Sequence, residues 1–436
     1  MDYPSPAELL QTLIRFNTVN PPGDEAACIG DLDGLLRGAG IETTLVEQVP
    51  GRPNLLARLT GVGNAPPLLL YGHVDVVPVD GQTWTHPPFD ADIADGFIWG
   101  RGALDMKGGV AMLVSAFLRA HAEKLPLPGD VILCLVSDEE RGGAVGARFL
   151  VEQHADWFKG VRYALGELGG FTYYLGGKKF YLIQVAEKSG LGLRATLRGP
   201  AGHASVPIRG GAMAKLGRLL TALDQGRPPV HITTAAQNMI RAMAAHLDAP
   251  LDQMLRALLD AAQTETILDA MGDQALTINP LLHNTVSPTV IRTGASVNVI
   301  PAAVTLDMDA RLLPGVAPAD FLRELRAIIG AEVELEQLRF EPGPGEPDMG
   351  LFDTLAGILK QADPTGIPIP FLLSAVTDGR FFARLGIQTY GFLPMQLPET
   401  FNFSASIHAA DERVPVEALV WGTDRIYEAL EQFGNA

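Results

Sequence analysis

The chain has 436 residues, of which 47% are hydrophobic and 19% charged, and a formal net charge of −17 at pH 7. That length exceeds one ordinary core, so two domains are expected, and the apolar fraction suits a globular protein. The negative balance repels phosphate backbones and anionic lipid, which argues against nucleic acid and membrane surfaces as partners.

The opening residues carry neither a basic segment nor an apolar stretch, and no apolar run is long enough to cross a bilayer. A cytoplasmic location is therefore expected. Apolar positions Leu9, Leu10, Leu13, Ile14 and Phe16 predict a helix over 6–17, stopped by Pro21-Pro22-Gly23, and a second helix follows through Leu36. Short apolar runs at 43–46, 54–59 and 68–71, bounded by Gly or Pro, read as buried strands. A helix over 108–121, a strand over 131–136 and a helix over 146–154 continue the alternation, which predicts an α/β fold with helices on both faces of the sheet. Cys28 and Cys134 are too few for a disulfide framework, and Cys134 lies within the strand.

The pattern changes after Glu187. A strand over 191–197 is broken at Gly199-Pro200, Ala- and Leu-rich stretches at 213–223 and 238–262 read as helical, and strand character returns at 289–300 and 304–312. A helix through Phe321 and Ile329 and a strand over 332–338 precede a Pro/Gly linker at 342–347, after which an α/β pattern resumes. The expected organisation is a discontinuous catalytic domain, residues 1–187 and 342–436, interrupted by an inserted α+β domain, residues 188–341.

Four islands carry candidate metal ligands: His73-Val74-Asp75, Gly100 to Asp105, Ser137-Asp138-Glu139-Glu140, and His408-Ala409-Ala410-Asp411-Glu412; Glu167 is a fifth candidate. Imidazoles and carboxylates without thiolates suit a catalytic zinc, cobalt or manganese site. His73 and Glu139-Glu140 directly follow predicted strands, at the edge where α/β sheets bind ligands. Asp75 shares a face with His73 and can orient the imidazole. Asp105, between glycines, can bridge two cations, or simply cap the following helix. Of Glu139 and Glu140, one can ligate while the other serves as general base; the alternative is a solvated acidic turn. On a helical turn His408 and Glu412 would share a face, with Glu412 supporting rather than ligating.

In this order the islands resemble the aminoacylase, acetylornithine deacetylase and succinyl-diaminopimelate desuccinylase family of dinuclear zinc peptidases. The match spans nearly the whole chain, and Trp84-Thr85-His86-Pro87-Pro88-Phe89 with Asp95 to Gly102 is similar to the carboxypeptidase S branch. The resemblance implies a catalytic domain with a mixed sheet flanked by helices and an inserted lid and dimerisation domain. It implies two divalent metal ions, zinc before cobalt or manganese. Asp105 would bridge them, His73 and Glu167 completing one site and Glu140 and His408 the other. Glu139 becomes the general base acting on a metal-bridging water, Asp75 the support of His73, and the Asp105-Met106 peptide bond is expected to be cis. His203 would reach the active site of a partner subunit in a homodimer, and Asn298 and Arg311 would hold the substrate; a surface ion pair is the alternative for Arg311. The implied substrate is a small N-acyl amino acid or a short peptide. A two-metal phosphoesterase and a non-catalytic peptide-binding relative are the rival readings. Residues 225–287 extend the lid without an assigned role.

Overall fold

The structure, a computed structural model, describes residues 3–272, 275–294 and 296–435. It divides into two compact units: Met1–Val185 with Pro347–Phe371 and Thr377–Ala436, and Ala186–Glu346 with Leu372–Val376.

The first unit is built on a nine-stranded mixed sheet. Its middle is parallel, with Val131–Val136, Leu68–His73, Tyr163–Gly166 and Gln388–Gly391 side by side. Pro53–Leu59 and Thr43–Glu47 extend one side antiparallel, and Lys178–Glu187 and Ile367–Leu373 lie on the other. Every residue of Leu68–His73 and Val131–Val136 is buried, as expected of parallel strands covered on both faces. The helix Lys107–Ala122 is buried almost continuously, which explains why its sequence is apolar nearly all round. Helix Pro6–Arg15 starts in a capping box between Ser5 and Glu8 and buries Leu9, Leu10, Leu13 and Ile14 on one face. Its end is tied down by Lys107, whose Nζ donates to the carbonyls of Leu13 (2.9 Å) and Phe16 (2.7 Å).

The second unit carries a four-stranded antiparallel sheet in the order Thr285–Arg292, Ala303–Leu312, Ser189–Arg198, Glu334–Glu341. Ala303–Leu312 alternates strictly between buried and half-buried positions, so one face of the sheet packs a core. Leu191, Leu193, Leu306, Met308 and Leu312 meet there with Leu216 and Leu219 of helix Ala212–Gln225 and Phe321 and Leu325 of helix Pro318–Ile329.

Two expectations are corrected. The helical stretch at 238–262 is three helices, Thr234–Ala244, Leu251–Ala257 and Ala261–Met271. Pro250 has no N–H to continue a helix, and the Asp260 side chain caps the next one by accepting from Ala262 N–H (3.0 Å). The strand character at 289–300 belongs to Thr285–Arg292 and to the two-residue strand Val299–Ile300; Ala295 lies outside the described residues. Residues 225–287, a segment of unassigned role, contain these three helices and also Ala275–Leu282.

Candidate metal centre

Three neighbouring parallel strands end at one place. His73 closes Leu68–His73 and lies level with Val136 in the adjacent strand, so Glu139 and Glu140 emerge just beyond it. Glu167 follows Gly166, the last residue of the next strand along. Gly166 admits no side chain, because a Cβ there would lie 2.1 Å from the Tyr71 ring. Asp105 enters from the loop before helix Lys107–Ala122, where Gly102 takes the left-handed φ of +89°. The Asp105-Met106 peptide bond is cis. Asp105 does not cap the helix: Met106 holds the cap position and no side chain closes it.

The Asp105 carboxylate instead faces two histidines. Its Oδ1 is 3.2 Å from His73 Nε2, which also lies 3.5 Å from Glu167 Oε2. Its Oδ2 is 3.1 Å from His408 Nε2, which lies 3.4 Å from Glu140 Oε1. The result is two clusters, His73–Asp105–Glu167 and Asp105–Glu140–His408, each with ligand atoms within 4.8 Å of one another. Glu167 Oε1 is buried with no hydrogen-bond partner among the described residues, and buried Glu140 Oε1 has the His408 imidazole beside it. Buried carboxylate oxygens this short of donors, beside imidazoles, fit a pair of divalent cations.

The surrounding bonds set the orientation. The Asp75 carbonyl accepts from His73 Nδ1 (3.0 Å), which leaves Nε2 facing Asp105 and Glu167. The Asp75 carboxylate lies 3.4 Å from the same Nδ1, and its principal partners are elsewhere. Oδ1 accepts from Glu139 N–H (3.1 Å), and Oδ2 accepts from Glu140 N–H (3.2 Å) and Asn20 Nδ2 (2.9 Å). Asp75 therefore orients His73 and also pins the Glu139-Glu140 backbone.

Electrostatically the cluster demands positive charge. Burial opposes a charged His73, but hydrogen bonds to Asp105, Asp75 and Glu167 outweigh it and raise its pKa well above the usual value. Hydrogen bonds to Asp105 and Glu140 push His408 up to about 10. Burial, then the Asp105 charge, raises Glu140 to about 7. Burial, with Glu167 and Asp378 adding, raises Glu139 well above the carboxylate range, although His73 and Arg380 oppose it. A carboxyl with raised proton affinity suits proton transfer.

His408 and Glu412 do not sit on a helical turn. His408 and Asp411 adopt left-handed φ values of +61° and +60° in an irregular loop. Glu412 turns away from the imidazole and accepts from the backbone N–H groups of Leu104 (2.8 Å) and Asp105 (3.1 Å). The helical reading fails because the segment has no ladder to impose that spacing, and the Glu412 carboxylate is better satisfied by unpaired amides.

The remaining candidates lie in the second unit. His203, exposed, pairs with Val299 across the short Gly202–His203 strand, and its Nδ1 lies 2.7 Å from Ser205 Oγ. The Asn298 carbonyl accepts from Ala204 N–H (3.0 Å), so these two candidates are neighbours. Arg311, on Ala303–Leu312, donates from Nε to Asp309 Oδ2 (2.9 Å), the ion pair set against the substrate role.

Sequence reasoning missed the run Thr377-Asp378-Gly379-Arg380. Arg380, with a side chain only 2% exposed, places Nη1 3.5 Å from Glu139 Oε1 and also donates to the Thr377 carbonyl. Burial, which Arg380 opposes, raises Asp378 to about 7. The available signal was three polar residues and a glycine directly before Phe381-Phe382, a pattern that places charge against a core.

Comparison with known proteins places this site in a family. Residues 69–432 match the model of peptidase family M20/M25/M40. A succinyl-diaminopimelate desuccinylase of Paracoccus denitrificans (strain Pd 1222) is 29% identical over 435 residues, 98% of this chain and 97% of that protein. A probable carboxypeptidase S-like 2 of Dictyostelium discoideum is 25% identical over 384 residues, covering 84% of this chain and 71% of that one. The crystal structure of the M20 family metallo-carboxypeptidase Sso-CP2 from Sulfolobus solfataricus shares the fold, with a TM-score of 0.72 at 19% identity over 100% of both chains. The chain belongs to peptidase family M20/M25/M40.

Proposed function

We infer that the protein is a metal-dependent hydrolase that cleaves the amide bond of N-acyl amino acids or short peptides. The observation that carries this reading is the pair of ligand clusters sharing Asp105, with Glu139 held beside them by the Asp75 carboxylate. His73, Asp105 and Glu167 would hold one divalent ion and Asp105, Glu140 and His408 the other, zinc before cobalt or manganese. Bound there, the ions supply Lewis acidity that polarises a carbonyl and makes a water easier to deprotonate. Glu139 takes a proton from the attacking water and returns it to the leaving nitrogen, while Asp75 fixes the backbone that carries it. Arg380 faces the Glu139 carboxylate and counters its charge before the first transfer and after the second.

The second unit is read as a lid and dimerisation domain, residues 188–341. Its sheet ends on Thr285–Arg292, an edge strand with Val290 and Ile291 exposed, which supports a homodimer. In that assembly His203 of the partner subunit stabilises the developing oxyanion, and Asn298 and Arg311 hold the substrate carboxylate. No helix among the described residues is long and apolar enough to cross a membrane, and the cytoplasm is the proposed location. The comparisons favour neither the phosphoesterase nor the non-catalytic reading.

The test is turnover of a panel of N-acetyl, N-succinyl and N-fatty-acyl amino acids and dipeptides by metal-stripped protein, before and after adding zinc, cobalt or manganese. Metal-restored release of free amino acids is expected. Binding of metal without turnover of any amide would overturn the hydrolase reading.

A further inference from the structure

The two ligand clusters differ in how their members are held. His73 closes a hydrogen-bonded parallel strand and Glu167 directly follows another, while Glu139-Glu140, just past a third, are pinned through their N–H groups by Asp75. His408 has no such support. It lies in an irregular left-handed loop, far from Asp105 in sequence, with its side chain 50% exposed. Something else must hold it opposite Asp105.

One buried cation does so. The Arg101 side chain is 1% exposed and that of Glu412 is fully buried, and Arg101 Nη1 donates to Glu412 Oε2 at 2.5 Å. The other Glu412 oxygen accepts from Leu104 and Asp105 N–H, so this carboxylate grips the backbone of the shared ligand. Arg101 Nη2 donates to the carbonyl of His408 itself (3.2 Å) and to Gln82 Oε1 (2.9 Å). Gln82 Nε2 donates to that same His408 carbonyl (2.9 Å). The Trp84 ring packs over the guanidinium at 5.2 Å and donates its Nε1–H to Gln82 Oε1 (3.2 Å). Arg101 is thus the node through which Asp105 and His408, two ligands of one cluster, are fixed relative to each other. A buried ion pair is weak evidence for stability as such, because desolvation offsets its attraction. Its partners here, a ligand's carbonyl and another ligand's amide, argue for positioning.

We propose that Arg101, acting with Glu412 and Gln82, is a positioning residue that sets the divalent-cation affinity of the Asp105–Glu140–His408 cluster more strongly than that of the His73–Asp105–Glu167 cluster, because it holds both Asp105 and His408 of the first and only Asp105 of the second. The proposal rests on the dinuclear reading above. Groups that orient metal ligands typically contribute about 10–100-fold to metal affinity, and a clamp spanning two ligands belongs in that range.

The experiment is equilibrium dialysis of the full chain against buffered Co2+, with metal content by elemental analysis and the visible absorption of the bound ions. Wild-type protein, Arg101→Met, Arg101→Lys and Gln82→Ala are compared, each checked for fold by circular dichroism. Wild type is expected to bind two ions per chain. Arg101→Met should bind one of them about 10–100-fold more weakly and the other with a smaller loss. Arg101→Lys should recover part of the loss, and Gln82→Ala should weaken the same ion by a smaller factor. If Arg101→Met does not fold, Gln82→Ala, which leaves no buried charge unpaired, decides. Unchanged affinity for both ions, or equal weakening of both, overturns the proposal. Wild-type protein that binds no pair of ions overturns the dinuclear reading itself.

Discussion

The His73–Asp105–Glu167 and Asp105–Glu140–His408 clusters use the same ligand chemistry and share a carboxylate, yet the first is wholly buried and the second opens onto solvent through His408. The first is a by-product of the sheet: parallel strands that must be covered on both faces place their carboxyl ends side by side, out of water. The second is assembled across the chain by the Arg101–Glu412 pair and the Asp75 carboxylate. Strand ends therefore supply a rigid, dry half, and loop contacts supply an accessible half where substrate and water can enter. The left-handed residues follow the same division of labour. Asp138 and Leu168 turn the chain at Glu139 and Glu167 immediately after their strands, whereas His408 carries the left-handed backbone itself.

The largest effect that would break this comparison is loss of Glu139, the proposed proton shuttle common to both halves. Glu139→Gln should lower kcat by about 10²–10⁴-fold while both ions remain bound, measured by steady-state turnover with metal analysis. Undiminished turnover would falsify the base assignment. Next, the two histidines should separate. His408→Ala should keep one ion per chain, because the buried cluster is intact, whereas His73→Ala leaves Asp105 and Glu167 facing each other in a dry site and should lose metal from both clusters. Identical metal content in the two variants, read by elemental analysis, would erase the distinction between a dry and an open half.

Metal removal comes third. Ions that bind only the folded chain stabilise it by mass action, on the order of 4 kcal/mol at a thousandfold excess over Kd. Chelation should therefore lower Tm by several degrees, and His408→Ala should show a smaller chelator-dependent drop than wild type in differential scanning calorimetry. An equal drop in both would mean that the open cluster contributes no binding energy.

The smallest effect is a control in the other unit. Lys188 is buried, its Nζ donates to the His283 carbonyl (2.9 Å) and Thr285 Oγ1 (3.3 Å), and burial pushes its pKa down to about 7. An unfolded lysine titrates near 10.4, so between about pH 7 and 10 the unfolded state binds more protons and stability from this group rises with pH. Lys188→Met should flatten that rise by on the order of 1–4 kcal/mol, read from urea midpoints at pH 7 and 10, without changing metal content. A variant that alters metal binding instead would show that the centre depends on more than its own loops.

Dimer assembly offers a separate check on the lid reading. If His203 of the partner subunit completes the site, mixing His203→Ala with Glu139→Gln should restore turnover that neither variant has alone, since mixed dimers contain one intact site. Failure of mixing to restore activity, with mixed dimers present by native mass spectrometry, would confine the site to one chain.

Much of the centre was legible because its residues follow short apolar runs. His73 and Glu139-Glu140 stand where predicted strands end, and the ends of parallel strands are where ligands bind. Glu167 and His408 have weaker local signals, and the family resemblance assigned each of these candidates to one of the two sites. Arg380 and Asp378 were missed because nothing in their neighbourhood has a period; only their closeness to Glu139, across more than half the chain, gives them meaning. Glu412 was assigned the wrong neighbour for the same reason. Spacing along the chain pointed to His408, but the unpaired amides of Leu104 and Asp105 are what it meets.

The sequence alone therefore determined the ligand chemistry, the α/β class and the strands that carry His73, Glu139 and Glu140, because periodicity and turn residues act over a few neighbours. Tertiary structure decided which carboxylate faces which histidine, which carboxyls gain proton affinity, and how Arg101 joins Asp105 to His408. Those outcomes depend on burial and on contacts between distant segments, and desolvation and charge at a site exist only after the chain has closed around it.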